Sequence, residues 1–404
     1  MSDNVPLLSR LQEQPTDGLL ALMLECRADP RPDKLDLGIG VYRDDYGQTP
    51  VMAAVKEAER LLLGQQETKA YLGVDGDTAF VSMLAPLIFG ATGAADPRLI
   101  GMQTPGGTGA LRLAADLLAA SGNDVVVWMG DPTWANHQPI FLAAGVRVQW
   151  HPFYQPATGV LDFVGMFAAL ETAAVGDAVL LHGCCHNPAG VDFTLPQWDA
   201  LADVITRRRL LPIVDLAYQG LGRGFDEDAE GLRRLADKAE AVIVTYSCDK
   251  NFGLYRERTG ALWVRVGDEA LLPRVRTGMR NPARASWSMP PDHGAAVVRI
   301  ILSSPDLTQT WRHELEAMRR RIFDIRTQLA NAHPSLAGLH HQTGMFAMLP
   351  VSTKAARALR RDNAIYIVDD GRVNLAGLTA ATIPVLMDAL VQHLPSPANS
   401  SDHK

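Results

Sequence analysis

The sequence predicts an α/β protein, in which a large domain with a mostly parallel, seven-stranded sheet covered by helices is followed by a smaller α/β unit. Between residues 99 and 266, short apolar runs alternate with segments of helical periodicity, which favours a parallel sheet with helices on both faces. A chain of 404 residues, 47% of them hydrophobic, is long enough for two domains. After Pro291, long helical runs lead into further strand-like segments, which predict the second unit.

The predicted elements follow in order along the chain. Apolar runs predict the strands of the large sheet, at residues 99–103, 125–128, 146–150, 178–182, 211–215, 241–245 and 261–266. Apolar spacing predicts the helices, at residues 19–26, 52–63, 110–120, 137–144, 163–174, 196–207, 307–332 and 383–394. Residues 344–348 and 365–368 are strand-like and belong to the smaller unit.

Composition excludes several classes of protein. A net charge of −7 argues against a nucleic-acid-binding surface. The N-terminus has no basic and apolar signal-peptide pattern, and no apolar stretch is long enough to span a membrane, so we predict a cytoplasmic protein. The four cysteines show no CxxC spacing, so we predict reduced thiols and no metal site.

Polar residues fall where the predicted strands end, and this is the main functional signal. They are Thr104, Asn187, Asp215 and Lys250. Ligands of open parallel sheets bind beyond the carboxyl ends of the strands, so these side chains are expected to share one site.

Lys250 follows the apolar strand at residues 241–245. A lysine beside buried surface is costly unless its charge is paired or lost, and a neutral amine is a nucleophile toward carbonyl carbon. The alternative is a surface lysine at a strand end. Asp215, which also follows an apolar strand, needs a cationic partner.

A glycine-rich turn at residues 106–109 opens a predicted helix, which offers free N–H groups to an anion, although a plain tight turn is the alternative. Phosphate ligands are predicted at Gly107, Thr108, Ser247 and Arg258. Trp134 offers a flat ring face, while Tyr218 and Asn187 offer hydrogen bonds. A phosphorylated aromatic cofactor with a pyridinium nitrogen and an aldehyde would use all of these groups. Pyridoxal 5′-phosphate is such a molecule.

These motifs resemble the aspartate/aromatic aminotransferases, class I enzymes of the fold type I pyridoxal-phosphate group. The resemblance runs from about Leu19 to Leu394, and it is carried by residues 37–42, 71–76, 103–112, 182–188, 215–220, 250–255 and 371–374. It implies a small domain made of residues 16–49 and 312–394 and a large domain at 50–311. The mixed composition of residues 1–15 predicts an arm, and the polar residues 395–404 predict a disordered tail.

The resemblance also implies roles for the cofactor-binding residues. Lys250 is expected to form a Schiff base with the cofactor and then to move a proton, and Asp215 to keep the ring nitrogen protonated. Tyr218 and Asn187 would bond the phenolate oxygen, and Trp134 would stack on the ring. The phosphate ligands would be joined by Tyr71 of the partner subunit. His137 and His182 would support the site near Asp215, although plain buried histidines are an alternative.

Substrate residues follow from the same resemblance. Arg372 would bind the α-carboxylate, Arg284 of the partner subunit would bind a distal carboxylate, and Gly40, Asn187 and Trp134 would line the substrate pocket. The implied protein is a homodimer with shared active sites. It would transfer amino groups between aspartate or aromatic amino acids and 2-oxoglutarate by a ping-pong route. A lyase on the same scaffold, an aminotransferase with a specialised substrate, and a regulatory protein are the alternatives.

Two residues depart from the family pattern. Asp249 replaces a serine beside the phosphate, where a carboxylate would weaken binding unless it points away, is protonated or meets an arginine, for which Arg256 is a candidate. Met289 replaces an asparagine near Arg284, which favours a broader pocket, whereas Val41, Thr49 and Thr108 are typical of aspartate enzymes.

Overall fold

The structure is a computed structural model that describes residues 7–13, 18–122, 124–156 and 158–395. Within the predicted N-terminal arm, Leu7–Arg10 form a short 3₁₀ helix. The rest of that arm at residues 1–6 and 14–15, and the predicted disordered tail beyond residue 395, lie outside the described residues.

The large sheet contains seven strands, and each predicted run of the sequence forms one of them. In chain order they are β1 (Leu99–Pro105), β2 (Val126–Asp131), β3 (Arg147–Pro152), β4 (Ala178–His182), β5 (Leu211–Leu216), β6 (Val242–Ser247) and β7 (Thr259–Arg265). Their order across the sheet is β1-β7-β6-β5-β4-β2-β3. Neighbouring strands are parallel except at β7, which is antiparallel to both β1 and β6. The predicted mostly parallel sheet is therefore confirmed.

Helices cover both faces of this sheet. They include Ala53–Gln65, Thr78–Ala94, Gly106–Ser121, His137–Ala143, Phe163–Leu170, Leu195–Arg208, Glu227–Lys238, Leu272–Ser286 and His293–Ser303. Two hydrophobic clusters lie between the sheet and these helices, and β4, β6 and β7 are buried along their whole lengths. Burial on both faces explains why these strands are continuous apolar runs in the sequence rather than alternating ones.

A third hydrophobic cluster joins the two ends of the chain. Leu37 packs there with residues from the long helix Pro305–Ala332 and from the C-terminal segment. Leu35–Asp36 pair in parallel with Ile365–Tyr366, and Phe346–Met348 pair with Arg372–Asn374 in an antiparallel ladder. Helices Gly18–Ala28, Thr353–Asn363 and Thr382–Leu390 complete this part of the fold. The domain boundaries given above stay a prediction.

Several helices were not assigned from the sequence, and two of them carry start signals that were available there. Asp77 caps the helix Thr78–Ala94 by accepting a hydrogen bond from the N–H of Phe80. The helix Glu227–Lys238 has acidic residues in its first turn and a lysine in its last. Among the helices of the described residues, none combines the length and the apolar character that crossing a bilayer requires.

Candidate active site

A cavity of about 260 Å³ lies at the carboxyl edge of the large sheet. The predicted cofactor ligands of this chain, with the exception of Tyr71, meet on its walls. It is lined by Gly107, Thr108, Leu111, Trp134, His182, Asn187, Asp215, Ala217, Tyr218, Ser247, Asp249, Lys250, Tyr255 and Arg258.

Sheet topology explains why residues so distant in sequence meet here. The strands β4, β5 and β6 are parallel, so Asp215, near the end of β5, and Ser247, at the end of β6, lie at the same edge. Because β7 is antiparallel to β6, its beginning lies at that edge too, and Arg258 immediately precedes it. The helix Gly106–Ser121 starts there directly after β1.

One end of the cavity is formed by the start of this helix. Gly106 has a positive φ of 70°, and a Cβ on it would lie 2.6 Å from Nη2 of Arg258. A Cβ on Gly107 would lie 3.1 Å from Cβ of Ser247. The glycines therefore let the helix N-terminus, a hydroxyl and a guanidinium approach one point, which suits an anion. Thr104 instead donates its hydroxyl to the carbonyl of Gly106 at 2.9 Å and lies outside the cavity lining.

Asp215 is buried with hydrogen bonds on both carboxylate oxygens. Nε2 of His137 lies 3.2 Å from Oδ2, and the hydroxyl of Thr245 donates to Oδ1 at 2.9 Å. Nδ1 of His137 lies 2.8 Å from the hydroxyl of Thr133, which orients the ring with its Nε2–H toward the acid. Burial alone would raise the pKa of Asp215, but these hydrogen bonds and the charge of His137 outweigh it, so the pKa is lowered.

Lys250 faces the cavity from the turn after β6. Burial lowers the pKa of its amine, although the nearby carboxylates of Asp249 and Asp215 act in the opposite direction. Its Nζ lies 3.8 Å from Oδ2 of Asp249 and 5.4 Å from the centre of the Tyr218 ring. A lowered pKa leaves more of the amine neutral and hence nucleophilic.

Asn187 and Tyr218 contribute polar groups to the cavity wall, and Arg372 lies next to Asn187 without lining the cavity. Nδ2 of Asn187 donates to the hydroxyl of Tyr218 at 3.3 Å, and burial raises the pKa of Tyr218. Nη1 of Arg372 lies 3.4 Å from Oδ1 of Asn187, and its Nη2 donates to the carbonyl of Gly38 at 2.7 Å. A Cβ on Gly40 would lie 2.9 Å from the ring of Phe346, above which the Arg372 guanidinium lies at 5.0 Å. Arg372 and Gly40 thus lie together beside Asn187.

The sequence analysis missed some of the lining. Leu111, Ala217 and Tyr255 were not predicted, and Asp249 was left out of the phosphate ligands. The suggested pairing of Asp249 with Arg256 is wrong, because Asp249 pairs with Arg258 at 2.6 Å. Arg258 has a positive φ of 52°, and this backbone bend turns the chain into β7 and brings the guanidinium back to the cavity. The sequence analysis had already placed Arg258, and not Arg256, among the phosphate ligands, and that assignment was the available signal for the pairing.

Comparison with known proteins decides the family. The family model described as aminotransferase class I and II matches residues 32–390. A tyrosine aminotransferase of Rhizobium meliloti (strain 1021) is 48% identical over 93% of this chain and 97% of its own length. An aspartate aminotransferase of Escherichia coli (strain K12) is 42% identical over 95% of this chain and 99% of its own length. A solved aromatic-amino-acid aminotransferase from Burkholderia pseudomallei superposes with a TM-score of 0.93 at 35% identity, covering 97% of this chain and 100% of that one.

The chain belongs to the class I and II aminotransferases. The predictions of the family, the fold type and the enzyme class are confirmed.

Two predicted site residues of this aminotransferase lie away from the cavity of their own chain. Tyr71 is 91% exposed, and Arg284 is exposed in the last turn of the helix Leu272–Ser286, where it donates to the hydroxyl of Ser288. The two segments touch each other, since the N–H of Leu72 lies 3.2 Å from Sδ of Met289. Tyr71 and Arg284 are therefore presented from one face of the aminotransferase.

His182 is expected to make the stability of this aminotransferase depend on pH. Its ring is buried, its Nε2 has no hydrogen-bond partner among the described residues, and burial lowers its pKa to about 3. The unfolded chain binds a proton near pH 6.5 while the folded chain does not, so stability is present above that pH and is lost as pH falls toward 3.

The free energy of unfolding of the cofactor-free enzyme should therefore fall by about 2 kcal/mol more between pH 6.5 and 5 than that of His182→Asn. Urea midpoints across this pH range measure the difference in slope, whatever the variant's absolute stability. His341→Asn, a substitution of an exposed histidine, is the control. Equal slopes for the wild type and His182→Asn would contradict the prediction.

Proposed function

We propose that this enzyme is a homodimeric aminotransferase that transfers amino groups between aspartate or aromatic amino acids and 2-oxoglutarate by a ping-pong route, with each active site shared between subunits. The observation that carries the proposal is the meeting of Lys250 and Asp215 in one cavity whose far end suits a phosphate. A cytoplasmic location, and the lack of nucleic-acid or metal partners, stay predictions from composition.

The cavity fits pyridoxal phosphate, which is bound covalently in the similar Burkholderia pseudomallei enzyme. The space at Gly106 and Gly107 that a Cβ would fill leaves room for a phosphate at the helix start. The donors there are the N–H groups of Gly107 and Thr108, the hydroxyl of Ser247 and the guanidinium of Arg258. Trp134 lies at the cavity wall with its ring nearly perpendicular to that of His137, and it is proposed to stack on the cofactor ring.

When bound, this cofactor supplies an electron-withdrawing ring that stabilises negative charge at the substrate α-carbon. Asp215, whose pKa is lowered, would keep a proton on the ring nitrogen. Lys250 would hold the cofactor at its aldehyde, and its Nζ would carry the proton that moves between the substrate α-carbon and C4′. Tyr218 and Asn187, which are hydrogen-bonded to each other, would donate to the phenolic oxygen.

Arg372 is proposed to bind the substrate α-carboxylate. Its guanidinium is buried and oriented by the carbonyl of Gly38, and it offers the paired donors that a carboxylate accepts. Gly40 leaves the ring of Phe346 against the pocket, and Asn187 lies between Arg372 and Tyr218. The similar proteins are named tyrosine and aspartate aminotransferases, which supports both types of donor.

Adding an amino acid alone tests amino transfer against the lyase alternative. The first half of a ping-pong reaction leaves the amino group on the cofactor, so we expect aspartate, tyrosine or phenylalanine to convert about one equivalent of bound cofactor to pyridoxamine phosphate. Absorbance and chromatography of the released cofactor measure the conversion. Loss of the amino acid in many turnovers, with the cofactor still in the aldehyde form, would favour the lyase. A donor panel with 2-oxoglutarate, compared by kcat/KM, then ranks the substrates.

The face that presents Tyr71 and Arg284 supports the shared active sites. Leu72, beside Tyr71, is 51% exposed, which leaves two large apolar side chains uncovered next to each other. Arg280 and Asp75 form an ion pair that fixes this segment to the helix Leu272–Ser286. A dimer with two-fold symmetry would place this face of each subunit against the other, and each would then lend Tyr71 and Arg284 to its partner's cavity.

Hybrid dimers test this arrangement. If the sites are shared, each one takes Lys250 from one subunit and Arg284 from the other. A hybrid of one Lys250→Ala subunit and one Arg284→Ala subunit then has both defects in one site and an intact second site. Random co-assembly in equal amounts should recover about one quarter of the wild-type rate with aspartate, far above either variant alone. Two variants mixed without subunit exchange are the control. Recovery no greater than the sum of the two homodimers would show that each subunit builds its own site.

A further inference from the structure

Of the described residues, two line the cavity with a carboxylate, and the second of them, Asp249, has no role in the function proposed above. Its side chain is buried, and Oδ2 lies 2.6 Å from Nη1 of Arg258. Its other oxygen, Oδ1, is fully buried without a hydrogen-bond partner among the described residues. A buried carboxylate oxygen with no donor is costly, and protonation of the carboxyl group removes that cost.

The guanidinium that pairs with Asp249 also belongs to the phosphate end of the cavity. Nη2 of Arg258 lies close to Gly106, 2.6 Å from where a Cβ on that residue would be, at the start of the helix Gly106–Ser121. The N–H of Asp249 donates to the hydroxyl of Ser247 at 3.2 Å, so the carboxylate sits beside a second phosphate donor. A bound phosphate and Asp249 would thus compete for one arginine.

The charges around Asp249 do not suffice for both anions. The titratable and charged groups that face its carboxylate are Arg258, Lys250, Tyr255 and Cys248. Burial raises the pKa of both Tyr255 and Cys248, so neither adds a charge near neutral pH. Lys250 is a weaker partner than Arg258, because its Nζ is farther away, at 3.8 Å from Oδ2, and burial lowers the pKa of its amine. One guanidinium would therefore face a carboxylate and a phosphate dianion, and adjacent like charges favour protonation of one of them.

We propose, on the basis of the function proposed above, that Asp249 takes up a proton when the cofactor phosphate binds. The proton comes from solvent and goes to the carboxylate, whose side chain turns as its pair with Arg258 is given up and then donates a hydrogen bond to a phosphate oxygen. The Asp249–Arg258 ion pair is exchanged for an Arg258–phosphate pair. The resemblance leads us to expect a serine hydroxyl at this position, which is always a donor. Asp249 is a donor only when it is protonated, so cofactor affinity falls as pH rises.

Pyridoxamine 5′-phosphate, titrated into cofactor-free enzyme, isolates this effect, because it has the phosphate but no aldehyde to bond Lys250. Calorimetry in buffers of different ionisation enthalpy counts the protons that are taken up on binding. It is done at about pH 8, where the phosphate of the free ligand is already a dianion. The wild type should take up about one proton more than Asp249→Asn, whose amide imitates the protonated acid. Between about pH 6 and 8.5, the dissociation constant of pyridoxamine 5′-phosphate from the wild type should rise relative to that from Asp249→Asn, by up to about tenfold per pH unit.

Asp249→Ser, which restores a hydroxyl, should behave like Asp249→Asn. Asp96→Asn, at an arginine-paired acid outside the cavity lining, should behave like the wild type. The ³¹P chemical shift of the bound ligand should be that of a dianion in all four proteins. Equal proton uptake by the wild type and Asp249→Asn, or a monoanion signal in the wild type, would overturn the role of Asp249 and leave the proposed function intact. Failure of every variant to bind the ligand would overturn both.

Discussion

Replacing Lys250 with alanine should lower amino transfer by at least about 10⁴-fold, the upper end of what one positioned proton-transfer group contributes. No other lysine lines the cavity among the described residues, and the amine of Lys250 has the lowered pKa that both bonding to an aldehyde and proton transfer require. The absorbance band of the lysine-bound cofactor should disappear, while the phosphate ligands still bind the free aldehyde. Steady-state kinetics and absorbance spectra measure the two effects.

Lys238→Ala provides the matched control for Lys250. Lys238 is 43% exposed and pairs with Asp203 at the surface, so its loss should leave both the rate and the spectrum unchanged. Lys250→Arg retains a positive charge but has no amine that deprotonates, so it should be as inactive as the alanine variant. Turnover within tenfold of the wild type in either Lys250 variant would refute the proposed role.

Asp215→Asn should lower the rate by roughly 10²–10³-fold, the usual effect of removing one preorganised electrostatic group. The amide keeps the shape of the side chain but removes the negative charge that holds a proton on the ring nitrogen. The folded state offers no substitute, since the hydrogen-bond partners of Asp215 are the neutral hydroxyl of Thr245 and the ring of His137. Single-turnover rates with saturating aspartate measure the chemical step.

Two further variants distinguish the loss of the Asp215 charge from misfolding as the cause of the lower rate. His137→Asn removes a hydrogen bond to Asp215 but keeps the carboxylate, so it should cost about tenfold or less, the effect of one hydrogen bond of about 1 kcal/mol. Asp215→Glu keeps the charge and should recover part of the activity that Asp215→Asn loses. If Asp215→Asn were fully loaded with cofactor and within threefold of the wild type, the carboxylate would not have the proposed function.

The inner strands of the large sheet, such as β4 and β6, were predictable because they are buried on both faces, which requires uninterrupted apolar runs. Of the helices that were missed, Leu272–Ser286 faces solvent along most of its length, so few apolar residues mark its period. Thr78–Ala94 and His293–Ser303 do bury apolar residues, and their pattern was overlooked. The predicted cavity residues were found because polar side chains directly after buried strands have few structural reasons to be there. Tyr255 and Leu111 carried no such signal.

The sequence by itself determined the α/β sheet, the lysine, the acid and the glycine turn, because burial and local backbone geometry restrict which residues such positions accept. Only the tertiary structure decided which arginine pairs with Asp249, because the antiparallel strand β7 and the bend at Arg258 bring that side chain, and not Arg256, to the helix start. It also decided that Tyr71 and Arg284 share one exposed face, because contacts between segments some two hundred residues apart leave no periodicity in the chain.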